Sequence, residues 1–520
     1  MAERGTYHDW TPYLFYLLFT SALGPLLFGY HLAELNEPQA AITCAQASQG
    51  SAHSAFPECI DMTTVQFSLV TSFFTLGGLL GALSGGPLTT KFGRLRSMLL
   101  SSIFAALGPA LAATAVNTGM FVAGRFIAGL GAGAATVIVP IYISEIAPPN
   151  QKGFFGSTTQ IMINMGILIT QVLGLFLSKG QLWRIILGVG GLIAILQFAG
   201  LYLGGQESPK WLADNGKPSR AKKTLQRIRG HEADIESEVK GWGIESAQDI
   251  EDEEETLLSG HDRMSSHPST SRGHGDGTEG APDVGGDDAQ AAKTKPGKKA
   301  EEMAKTLGFL AVLQNPDVRP AVLAVMMIMV AQQLCGINSI VMYGVSLLSD
   351  LLAANAALLN VLVALLNVIV TTSAAPLVDR IGRKPCLLIS IGGMGISSLC
   401  LAIGIMKAVP TLSALAVLAF VASFGIGLGP VPFLLSSELV AAEAVGATQS
   451  WALTANWIAT FVVAQFFPLA NEKLGKGQVY FVFAGFALLF GCATAWFVPE
   501  TRGKTDADEV WGRKRDGRED

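Results

Sequence analysis

Six carboxamide side chains stand inside otherwise apolar stretches of this sequence: Gln160, Gln332, Gln333, Asn338, Asn367 and Asn456. An amide both donates and accepts hydrogen bonds without carrying charge. A group of amides therefore suits a neutral solute rich in hydroxyls, which also do both. The competing use is a hydrogen bond between helices, about 0.6–2 kcal/mol in a membrane. Gln332 and Asn338 are six residues apart, nearly two helical turns, so one gap in their helix can face both into a cavity. Trp457 follows Asn456 and offers either a ring for apolar contact or core packing. His31 is the only histidine of seven near an apolar run. Histidine changes charge near neutral pH, so it could carry a proton, or it could stay neutral and simply hydrogen-bond.

These residues need elements that hold them together, and the composition names the elements. Half of the 520 residues belong to the set AVILMFWYC and 15% are charged, against about 25% charged in an ordinary soluble protein. Apolar segments fall near 13–31, 65–86, 97–117, 119–142, 155–178 and 183–204. After a polar interval come 320–348, 356–378, 385–407, 411–435, 447–470 and 478–498. Each is long enough to cross a bilayer. Backbone groups in hydrocarbon must pair internally, so the segments are helices. The reading is an all-α membrane protein of about twelve transmembrane helices in two sets of six. Residues 1–205 form the first bundle, 206–319 a cytosolic linker, 320–500 the second bundle and 501–520 a tail.

Loop charges set the orientation. Lys91, Arg94 and Arg96 follow the second segment, and Arg380, Arg383 and Lys384 follow the eighth, whereas residues 31–64 hold no Lys or Arg. Both termini and the linker should be cytosolic. Within the linker, residues 231–305 carry 19 acidic and 8 basic side chains. Residues 231–300 are disordered by composition, rich in Gly, Ser and Asp and low in aromatics. The string EEETLL, Glu253 to Leu258, has the spacing of an adaptor-read sorting signal for vacuolar or lysosome-like membranes. Cys44 and Cys59 share a non-cytosolic loop in which either a bridge or two free thiols fits. No basic stripe points to nucleic acid. No Gly-rich phosphate loop, metal-ligand cluster or nucleophile–base pair is present, so no enzyme, cofactor or metal is expected.

The two halves repeat. KFGRLR from Lys91 matches DRIGRK from Asp379, SEIAP around Glu145 matches SELVA around Glu438, and ESPKWL from Glu207 matches PETRGK from Pro499. The offset from Glu145 to Glu438 equals that from Glu207 to Glu500, so one six-helix unit occurs twice. Parallel repeats of this kind place a substrate site between halves, near mid-membrane. The ordered motifs FGYHLAELNEPQ from Phe28, GRFIAGLGAG from Gly124, VPIYISEIAPPNQKG from Val139, QQLCGINSIVMY from Gln332, VDRIGRK from Val378, GIGLGPVPF from Gly425 and VPETRGK from Val498 resemble the sugar-porter branch of the major facilitator superfamily. The glucose-carrier type is the nearest match in pattern, over nearly the whole chain.

The resemblance implies the major facilitator fold and a carrier of a hexose or similar sugar, working by alternating access as one monomeric unit. It implies a binding site made by the six carboxamides with Phe433 and Trp457. Phe433 stands where the family usually has tryptophan, and Gly425 where glucose carriers often have a glutamate. Gating charges are expected at Arg94, Arg125, Glu145 and Lys152 and at Asp379, Arg383 and Glu438. They are expected to lock one bundle to the other in the outward-open state, with Arg125 bonding Glu145. His31 stands where proton-linked relatives carry aspartate and passive ones asparagine. Facilitative uniport is the favoured expectation, with proton coupling through His31 or a sugar-sensing receptor as alternatives. The membrane is the vacuolar, another internal, or the plasma membrane.

Overall fold

A computed structural model describes residues 10–45, 56–148, 151–230, 233–240, 242, 309–352, 356–441, 444–504 and 507–512. Residues 243–308, which hold most of the acidic stretch and its EEETLL string, lie outside the described residues. Among the described residues, twelve helices are long and apolar enough to cross a membrane, which makes the chain an integral multi-pass membrane protein. The first half holds Pro12–Ala33, Thr64–Phe92, Arg94–Ala113, Thr118–Ile146, Phe155–Leu177 and Gly180–Gly204. The second holds Arg319–Ser349, Ala356–Ile381, Arg383–Met406, Pro410–Glu438, Val445–Leu474 and Val479–Phe497. We number these spans one to twelve. An even number of crossings returns the chain to the face it left, called here the terminal face. The opposite face carries the disulfide between Cys44 and Cys59.

Small residues let the spans approach closely. Gly129 and Gly133 of the fourth span lie against the backbone of Phe74 and Gly78 in the second. In return, Gly77 and Gly81 lie against Phe126 and Leu130. A methyl group at any of the four would meet a backbone atom, so this contact admits no side chain.

Two spans are broken, and both breaks matter to the site. The seventh runs as helix over Arg319–Leu334, stops at Cys335 and Gly336, and resumes over Ile337–Leu352. Gly336 takes φ of 101°, a value that side-chain-bearing residues avoid. The tenth span is helical over Pro410–Ile426 and again over Val431–Glu438. Irregular backbone at this depth persists only where the protein itself satisfies the freed groups.

The sequence repeat becomes a structural one at the terminal face. The Glu207 carboxylate accepts from the backbone N–H of Arg94 (2.7 Å) and Leu95 (3.2 Å) at the start of the third span. The Glu500 carboxylate accepts from Arg383 (2.9 Å) and Lys384 (3.0 Å) at the start of the ninth. Each supplies negative charge where a helix N-terminus leaves donors unpaired.

Candidate functional site

Between the halves lies a cavity with about 70 Å³ of room for water centres, space for several water molecules at roughly 10–15 Å³ each. All eight residues expected at the binding site line it: Gln160, Gln332, Gln333, Asn338, Asn367, Phe433, Asn456 and Trp457. Among the described residues, no ionisable side chain lines it.

The carboxamides form two linked groups. In the second half, Gln332 donates to the Leu428 carbonyl at 2.6 Å. That carbonyl is freed by the break in the tenth span. The Gln332 oxygen accepts from Asn456 at 2.7 Å and from Gln333 at 3.0 Å. Asn338 donates to the Gln333 oxygen. The gap expected in the helix that carries Gln332 and Asn338 is present, and both residues line the cavity. The break at Gly336 lies between them, and Asn338 folds back beside Gln333.

The second group bridges the halves. Gln160 donates to Asn164 at 3.1 Å, and Asn164 donates to Thr371 at 3.0 Å. Asn367 donates to Asn164 at 3.4 Å and accepts from Thr371 at 3.2 Å. Asn164 and Thr460 were not picked out from the sequence, although both line the cavity. Each stands four residues after a selected amide, one helical turn along the same face, and that spacing was the available signal. The Trp457 ring packs edge-on against Phe28, with centroids 5.3 Å apart.

The charge network differs from expectation at Arg125. It does not bond Glu145. Both stand on the fourth span, Thr118–Ile146, and about 30 Å of helix separates them. Arg125 is fully buried and pairs with Glu34, while donating to the His31 carbonyl at 2.8 Å. The His31 ring lies 3.0 Å from the other Glu34 oxygen. Glu34 escaped the sequence reading. The signal was its position three residues after His31, on the same helix face, together with the need of a membrane arginine for a counter-charge.

The remaining pairs are made inside each half. Arg94 grips Glu145 with two bonds, 2.6 and 2.9 Å. Arg383 binds Glu438 at 2.9 Å and Asp379 at 3.1 Å. In this arrangement they tie spans within a bundle and do not bridge bundle to bundle. Lys152 opens the fifth-span helix, and its side chain lies outside the described residues. Contacts between halves are made at the cavity, by Asn164 with Thr371 and Asn367, and also toward the disulfide face. Asn36 accepts from the Val345 N–H at 3.0 Å, and Ser72 donates to Gln465 at 2.7 Å.

One buried acid near that face yields a pH prediction. Glu37 follows the first span, packs over Gly174 and leaves one carboxylate oxygen without a partner. Burial pushes its carboxyl up from 4.5 to about 8. An unfolded chain therefore loses this proton first, and stability falls as pH rises from about 4.5 to about 8. Thermal melting of purified protein across that range should show the fall. Glu37→Gln should flatten it, because the variant has no proton to lose.

With the geometry in view, comparison with known proteins places the chain. The family model "Sugar (and other) transporter" matches residues 17–266 and 277–511. The chain belongs to this family. The sugar transporter is 31% identical to a probable metabolite transport protein of Saccharomyces cerevisiae, over 94% of this chain and 93% of that one. It is 31% identical to the facilitated glucose transporter member 3 of Ovis aries, over 96% and 92%. It is 28% identical to the vacuolar protein sorting-associated protein 73 of S. cerevisiae, over 96% of each. Among solved structures it resembles the xylose transporter XylE from E. coli in a partially occluded inward-open conformation. That likeness has a TM-score of 0.71 at 22% identity, over 95% of this chain and all of that one. The fold is that of the major facilitator superfamily, and proteins of this family are transporters rather than enzymes.

Proposed function

We propose that this transporter carries a neutral hexose or similar sugar across its membrane by alternating access, as a facilitative uniporter. The carrying observation is the carboxamide cage. Eight aromatic and amide side chains from both halves surround one cavity with no ionisable lining among the described residues. Sugar hydroxyls need groups that donate and accept, and sugar C–H faces need flat apolar surface. A charged substrate would find no counter-charge there. The relatives named as glucose and xylose transporters support the same substrate class.

Cytosolic termini follow from the basic loops on the terminal face. On that orientation the contacts near the disulfide face close the outer side, and the conformation is inward-facing. Passage then requires those contacts to break while the terminal face closes. The vacuolar or another internal membrane is the favoured location, in keeping with the printed name of the yeast sorting-associated relative. The string Glu253–Leu258 is the sorting element in this reading. Leu257→Ala with Leu258→Ala should move the protein to another membrane.

A second reading, proton-coupled transport, draws on the His31–Glu34–Arg125 cluster. The Arg125 guanidinium lies 4.5 Å from the Phe74 ring, and Phe74 lies 6.2 Å from Trp457 in the cavity. Proteoliposomes with a pH step and a panel of labelled sugars separate the readings. Uniport predicts uptake that stops at equal concentrations. Accumulation above equilibrium, lost on dissipating the pH step, would establish coupling instead.

A further inference from the structure

The second carboxamide group contains a residue that nothing above assigns to the substrate. Asn164 sits in the fifth span, one turn after Gln160, and is 1% exposed. Its oxygen receives the Gln160 amide at 3.1 Å and the Asn367 amide at 3.4 Å. Its own amide reaches Thr371 at 3.0 Å and the Asn367 oxygen at 3.5 Å. Three of the amides that line the cavity thus bond one another.

The tenth span explains why this arrangement fits. A Cβ at Gly425 would meet Val370 at 3.0 Å and the Thr371 hydroxyl at 3.2 Å. A side chain there would press on Val370 and Thr371, and the polar group beside Asn367 comes from the fifth span across the gap. Asn367 is therefore matched from the opposite half in the way a sugar hydroxyl would match it. An amide presents a donor and an acceptor, as a hydroxyl does.

We propose that Asn164 sets affinity and specificity as an internal stand-in for a substrate hydroxyl, which must displace it from Asn367 before the sugar is fully held. The inference deepens the sugar-carrier reading and rests on it. Bonds exchange one for one in that step, so sugar gains little at Asn367. The exchange also couples binding to a contact between halves, because the displaced bond joins the fifth span to the eighth.

The test uses purified full-length protein, with Kd for glucose and a panel of neutral sugars read from ligand-dependent thermal shift. Asn164→Leu keeps the branched shape, removes both polar ends and frees Asn367. It should lower the sugar-free melting temperature, because the link between halves is gone. It should tighten sugar binding about threefold to tenfold, the size of one neutral hydrogen bond. In an Asn367→Leu background the same substitution should bring no tightening. Asn164→Ala carries the same expectation and serves if the leucine variant does not fold. Weaker or unchanged binding in the variant, or equal tightening without Asn367, would overturn the stand-in role while leaving the carrier reading intact. Absence of any sugar-dependent shift in the unmodified protein would overturn both.

Discussion

Arg125→Met should destabilise the protein by about 3–5 kcal/mol, the cost of leaving a buried charge without its partner. The Glu34 carboxylate is 2% exposed and is paired with Arg125. The substitution also strips the His31 carbonyl of its 2.8 Å donor and removes the guanidinium from the Phe74 face. Combining Arg125→Met with Glu34→Leu should recover much of the loss, because two apolar groups of similar volume replace a pair that was costly to desolvate. Thermal melting of the four proteins in one detergent closes the cycle. A double variant as unstable as the sum of the singles would show that the two side chains act independently.

The second large effect is expected at Gln332. Gln332→Ala should lower sugar exchange at least about tenfold with an unchanged amount of protein in the membrane. This one side chain satisfies the Leu428 carbonyl and receives both Asn456 and Gln333. Its loss orphans a carbonyl at the break of the tenth span and frees two amides to turn away from the cavity. An unpaired buried polar group costs about 1–3 kcal/mol, and tenfold in rate corresponds to about 1.4 kcal/mol. Asn456→Ala should act in the same direction, but less strongly, since Asn456 makes fewer of these bonds. The check is initial-rate uptake normalised to membrane protein. Normal rates in both variants would remove the amides from the transport path.

The parts of the molecule that follow from long-range pattern were legible in the sequence. Hydropathy places all twelve spans because a bilayer imposes one length on each. The repeated offset from Glu145 to Glu438 and from Glu207 to Glu500 anticipates the paired helix caps made by Glu207 and Glu500. Six of the residues around the cavity were legible as amides in apolar runs, which have few uses, and Phe433 and Trp457 followed from the resemblance. Pairings set by helix direction were not. Arg125 was matched with Glu145, which shares its motif neighbourhood, although the fourth span carries the two to opposite faces. Asn164 was passed over because its role depends on which helix faces the fifth span, and that is a property of packing between halves. The break around Leu428 also escaped, because backbone geometry decides it. The bridge between Cys44 and Cys59 was open in the sequence and is formed.

The most direct measurement is counterflow of labelled glucose in proteoliposomes preloaded with unlabelled glucose, comparing the unmodified protein with Gln332→Ala. The account predicts transient accumulation of label by the unmodified protein, and almost none by the variant at equal protein content. No counterflow by the unmodified protein with glucose or any other neutral sugar, or equal counterflow by the two, would contradict it.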